Sequence, residues 1–238
     1  MEELTLITVR SAVHGQLLTD SARMLAETIS RDVANELRQL LPDLPADITL
    51  TYSFGTGVIP GLGFGATALD PRTISFVVAP EPTHAVERIL QTYLRPTLFH
   101  ECHHLVRGWV RHGGMRQRHF IDGVICEGLA VAFERDAGGH ATSWSDYPEQ
   151  RVRGWVDELL ALPRFANYRH WMFRHPDGRQ WIGYKAGTYI ADLAIARSGR
   201  DAAELVSVPT EHILELAGLP QPRAHLFRSR LLEGSQPE

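Results

Sequence analysis

The 238-residue chain is 44% hydrophobic and 22% charged, an ordinary globular balance, and its two cysteines, Cys102 and Cys126, exclude a disulfide scaffold. With 24 Lys plus Arg against 28 Asp plus Glu, the net charge of −4 argues against nucleic acid as a partner. No apolar run approaches the roughly 18–20 residues of a membrane span. The opening Met1-Glu2-Glu3-Leu4-Thr5 lacks the basic-then-apolar layout of a signal peptide, so a cytoplasmic, single-domain protein over residues 1–238 is expected.

The first periodic signal is helical and runs from about Thr19 to Leu41. Leu25, Ile29, Val33 and Leu37 recur every four residues between Arg23, Glu27, Arg31 and Glu36, predicting one buried stripe. Thr19, Asp20 or Ser21 can cap it, and Pro42 stops it. Ile48, Leu50, Tyr52 and Phe54 then alternate with Thr49, Thr51 and Ser53, the pattern of a half-buried strand. The glycine-rich stretch Gly55–Gly65 fits neither a P-loop nor the dinucleotide fingerprint, which needs glycine where Pro60 stands. It reads as irregular turns leading to a second strand, Ile74–Val78.

From Thr83 onward helices dominate the pattern. They are expected at His84 to about Leu94 with Thr83 as cap, at Pro96 to about Val110, and at Asp122 or Gly123 to about Arg135. Others are expected at Glu149–Leu162, at Ile182–Arg197, and in pieces from Thr210 to Leu232 ahead of a frayed tail, Ser235–Glu238. Strands early and helices late predict an α+β fold, with a helix-plus-sheet portion over 1–80 and a helical portion over 81–234.

Histidine, at 12 residues, is the component above expectation, and its placement carries the chemistry. Phe99-His100-Glu101-Cys102-His103-His104-Leu105 contains His-Glu-x-x-His. Residues four apart stand one turn above each other on a helix, so His100 and His104 can point at one ion. Glu101 lies beside that face, placed to take a proton from a metal-bound water. Two idle imidazoles beside Leu98, Phe99, Leu105 and Trp109 would need partners of their own. A catalytic zinc also wants a third protein ligand. A metzincin would supply it nearby, but Arg107 and Val110 stand where its glycine and third histidine belong.

Glu127 is the better candidate. It lies in the apolar, small-residue run Ile125–Phe133, where a carboxylate is costly to bury unless it is paired or ligates an ion. Gly128 and Ala130 would let its helix approach the histidine helix. Asp122 is the runner-up ligand, though it serves more simply as an N-cap, and Glu134 reads as a solvated or supporting charge. Cys102 and Cys126 lie off the ligand direction and read as small buried hydrophobes.

These residues carry a resemblance. His100-Glu101-x-x-His104 followed by Glu127-Gly128-Leu129-Ala130 is similar to the predicted zinc-dependent proteases of gluzincin type, which are thermolysin-like in active-site layout. The resemblance extends from Ile74–Val78 to Tyr184-Lys185-Ala186-Gly187. It implies a zincin-like fold in which a small mixed sheet packs on a helical zinc-binding half. It further implies Zn2+ held by His100, His104 and Glu127, Glu101 as general base, and a peptide or protein substrate. One departure is Val131, where thermolysin carries an acid four residues after the ligand glutamate. In this architecture an edge strand accepts the substrate backbone, a role Ile74–Val78 fits as well as it fits an ordinary core strand. The family's tyrosine–glycine motif points to Tyr184 as donor to the oxyanion, ahead of Tyr189, His119, His170 and His175. The expected function is therefore a zinc metallopeptidase. The alternative is a non-catalytic, metal-binding or regulatory protein that keeps the fold, against which the intact Glu101 argues.

Overall fold

The computed structural model describes residues 6–11, 18–81, 84–113 and 119–222. Among these residues the four strands all lie before Ala79 and, one helix apart, the helices follow. The fold is thus α+β, as the order of the sequence patterns predicts. The expected Thr83 cap, the helical pieces beyond residue 222 and the Ser235–Glu238 tail lie outside the described residues. No helix among the described residues is long and apolar enough to cross a membrane. The chain divides into two compact units, Met1–Met115 with Ala137–His140, and Arg116–Asp136 with Ala141–Glu238.

In the first unit, β1 (Leu6–Ser11), β2 (Asp47–Phe54), β3 (Phe64–Asp70) and β4 (Thr73–Val78) form one mixed sheet in the order β1-β2-β4-β3. β1, β2 and β4 are parallel neighbours, and β3 closes one edge antiparallel to β4. The helix α1 (Asp20–Leu40) is the crossover between the parallel pair β1 and β2. Its cap is Thr19, whose side chain accepts the Ala22 N–H at 3.1 Å. The buried stripe differs from the expected one. Ala22, Ala26, Val33, Ala34 and Leu37 are buried, while Leu25 and Ile29 are only half-buried. An alanine face lets the helix come close to its neighbours, and the larger aliphatics then fill the rim.

β2 keeps its expected alternation, with Ile48, Leu50 and Tyr52 buried. β3 runs on from the stretch expected to be turns. Gly65 lies so close to Gly57 that a Cβ there would fall 2.4 Å from the Gly57 carbonyl oxygen, so the glycine-rich loop folds back on this strand. Because β3 takes the edge, Ile74–Val78 is not an edge strand. It is paired on both sides, with Ile74, Phe76 and Val78 fully buried.

The short α2 (Val86–Ile89) and α3 (Arg95–Arg107) are joined by a π-helical turn through Leu90–Leu94, with no break before Pro96. In a regular helix the Pro96 ring would crowd the Thr92 carbonyl, and the wider turn makes room for it. α3 stops at Arg107, short of Val110, because Gly108 turns left-handed (φ 68°) and its N–H closes on the His104 and Leu105 carbonyls.

The second unit is helical: α4 (Phe120–Asp136), α5 (Glu149–Leu160), α6 (Tyr168–Met172), α7 (Ile182–Ser198) and α8 (Thr210–Leu216). Fourteen of the 17 residues of α4 are buried, so it is apolar all round and forms the centre of this unit. Gly128 serves its crossing with α7: a Cβ on Gly128 would fall 2.1 Å from the Gly187 carbonyl carbon, and one on Gly187 2.2 Å from the Val124 oxygen. Glu134, expected as a solvated or supporting charge, is buried. α6 has no expected counterpart; Asn167 caps it by accepting the His170 N–H at 3.2 Å.

Candidate metal centre

α3 presents His100 and His104 one turn apart. Their rings are 4.7 Å between centroids and nearly perpendicular, at 86°. His104 and Glu101 are buried and His100 is half-buried. The Ala68 N–H, on the edge strand β3, donates to Glu101 Oε2 at 2.7 Å. That charge-assisted bond orients the carboxylate expected to act as the base. Cys102 is fully buried on the same helix, and burial, reinforced by the Glu101 charge, pushes its thiol well above the usual range. It therefore stays a thiol, as a small apolar residue rather than a thiolate ligand. Both cysteines are buried and form no disulfide.

In the second unit, α4 carries Glu127, a buried carboxylate in a run of buried apolar residues. The helix begins two residues before Asp122. Asp122 therefore stands in its first turn, where Oδ2 accepts the His119 N–H at 2.9 Å, the backward arm of a capping box. The Tyr168 phenol at the start of α6 donates to Glu127 Oε1 at 3.2 Å. Phe120 and Phe173 pack edge-on against the Tyr168 ring, with centroids at 6.1 and 6.2 Å. Burial, followed by the nearby Glu127 charge and then Tyr184, pushes this phenol far above its usual range, so it remains a neutral donor. Tyr168 escapes a reading of the sequence. It lies on a five-residue helix without periodicity, and only the chain path around α4 brings it to Glu127.

The candidate oxyanion donors separate clearly. α7 starts from Trp181 in a left-handed conformation (φ 59°, ψ 30°), with its N–H on the Phe173 carbonyl at 3.0 Å. Tyr184, in the first turn, is half-buried among Trp181, Phe173 and Trp144, at 5.8, 6.2 and 6.4 Å between centroids. Tyr189 instead packs on Tyr147 at 5.3 Å. His170 is exposed, and His175 is tied to Asp177 at 2.9 Å with its ring on Trp171.

His100 and His104 belong to the first unit and the buried Glu127 to the second, and no other candidate group of three metal-binding side chains occurs among the described residues. Asp122 and the two cysteines are outside that group. Two imidazoles and one carboxylate suit zinc chemically, being the donor set of a catalytic site that keeps its fourth position open.

No curated protein and no solved structure matches the chain. Residues 72–215 match the family described as "Predicted Zn-dependent protease (DUF2268)". That stretch is more than half of the chain and takes in both histidines of the motif, Glu101, Glu127 and the two tyrosines Tyr168 and Tyr184, so the protein belongs to this predicted Zn-dependent protease family.

Proposed function

We propose that the protein is a zinc-dependent hydrolase of gluzincin type, a metallopeptidase that acts on peptide or protein substrates in the cytoplasm. The observation that carries this reading is the pair His100 and His104, one turn apart beside a glutamate held by the Ala68 N–H, with the buried Glu127 as the third donor inside the matched family stretch. Zinc bound there supplies a water of pKa near 7 and polarises a carbonyl oxygen. Glu101, oriented through Oε2 by the Ala68 N–H, accepts the proton of the attacking water and returns it to the leaving amine. β3, the sheet edge and the strand that holds Glu101, replaces Ile74–Val78 as the edge strand; a substrate backbone would add beside Ala66, since Ala68 already gives its N–H to Glu101 and its carbonyl accepts the Arg111 N–H. Tyr184 donates its phenol O–H to the oxygen that gains charge as the carbonyl is attacked, an interaction that strengthens toward the transition state.

A regulatory protein of the same fold would keep the ligands and have no use for a base held in place by a strand. The test is Glu101→Gln in protein without a polyhistidine tag. The variant should keep about one zinc per chain and its melting temperature, and lose roughly 10²–10⁴-fold in hydrolysis of a peptide library. Unchanged hydrolysis would remove Glu101 from the mechanism, and zinc-loaded wild type without hydrolysis would favour the regulatory protein.

A further inference from the structure

Glu127 is a buried acid on a helix whose other buried residues are, Glu134 apart, apolar or glycine. A carboxylate in that setting can rotate between presenting one oxygen or both to a cation, and the choice changes the coordination number. Two contacts limit that rotation. The Tyr168 O–H reaches Glu127 Oε1 at 3.2 Å, and the Tyr168 ring is wedged between Phe120 and Phe173. A phenol is a neutral donor, so it occupies lone-pair capacity on one oxygen without cancelling the negative charge that a metal ion needs. Arginine at the same place would do both.

We infer that Tyr168 is a positioning residue for the metal site: its hydrogen bond holds one oxygen of Glu127 and leaves the other as the single strong donor to the ion. This rests on the zinc reading above and adds a residue to it. Outer partners that orient metal ligands are typically worth roughly 10–100-fold in metal affinity, because without them the ligand must be ordered at the moment of binding. Glu127 held through one oxygen also keeps the coordination number low, and with it the open position that hydrolysis uses.

The experiment compares Tyr168→Phe with wild type in the full chain. Zinc affinity is read by competition with a chromophoric chelator, and the visible spectrum is read after substitution with cobalt. Phenylalanine keeps the ring between Phe120 and Phe173 and removes only the donor. The expected result is zinc affinity weaker by roughly 10–100-fold. The cobalt bands should also lose intensity, as they do when a second carboxylate oxygen joins the ion. Phe173→Leu is the companion variant: it loosens the ring and keeps the hydroxyl, so it should lower the melting temperature and weaken zinc clearly less than Tyr168→Phe does. If Tyr168→Phe matches wild type in affinity and spectrum while Glu127→Ala loses zinc, the inference is overturned and the zinc site stands. Phe173→Leu weakening zinc as much as Tyr168→Phe would also overturn it, since packing alone would then be responsible. If wild type binds no zinc, or Glu127→Ala binds it undiminished, the zinc site itself is refuted and this role with it.

Discussion

Two phenols of the second unit end on carboxylates, and the company each pair keeps is different. Tyr147 donates to Asp192 Oδ2 at 2.8 Å, and Arg135 reaches the same carboxylate with two guanidinium nitrogens at 2.7 and 3.1 Å. Asp192 is thereby balanced by a cation of the protein, in a bidentate clamp that ties the end of α4 to α7. Tyr168 donates to Glu127, the carboxylate proposed to share a metal ion with the imidazoles of His100 and His104. On that proposal the same hydrogen bond completes a structural clamp in one place and aims a ligand in the other. A carboxylate is therefore to be read from the chemistry of all its neighbours, since a phenol donor is common to both sites.

The largest expected effect separates the two carboxylates outright. Glu127→Ala should lose zinc on dialysis, whereas Asp192→Ala should keep about one zinc per chain by elemental analysis. Loss of zinc from Asp192→Ala would break the comparison. The two tyrosines of α7 divide in the same way. Tyr184→Phe should lower kcat by about 10²–10³-fold with zinc content unchanged. Tyr189→Phe, beside the clamp, should leave kcat intact, and the reverse outcome would exchange their roles.

Smaller effects concern stability. Asp192→Ala deprives Arg135 and Tyr147 of their shared partner, although Arg135 keeps Asp136, and should cost about 1–3 kcal/mol in urea denaturation. Smallest is a contrast between the units. Tyr147→Phe should cost about 1 kcal/mol, while Tyr52→Phe in the sheet should cost nothing or stabilise, because the buried Tyr52 oxygen has no hydrogen-bond partner among the described residues. Both phenols are held protonated, Tyr52 by burial and the Glu87 charge, Tyr147 by burial and its bond to Asp192. Their folded pKa values are raised, so the phenols weaken folding only above about pH 10, where the unfolded phenols ionise and the folded ones do not. Melting temperatures between pH 8 and roughly pH 11 should fall less steeply in either Phe variant than in wild type.

What the sequence by itself determined is local. A four-residue spacing places His100 and His104 one turn apart wherever their helix packs, alternation marks β2, and an acid inside Ile125–Phe133 stands out because a buried charge needs a reason. The α+β order of elements follows from the same short-range patterns. Non-local pairing decided the rest. Ile74–Val78 has the same alternation at an edge or in the centre of a sheet, and only the pairing of β3, which small residues conceal, makes it central. The face that α1 buries was settled by how closely an alanine stripe can approach its neighbours, against the larger aliphatics that dominate the period. Gly128 met Gly187 because two particular helices cross there. Tyr168 reached Glu127, 41 positions away in the chain, through a contact that carries no periodic signal, because hydrogen bonds between distant residues depend on the packed path of the backbone and leave no imprint on residue spacing.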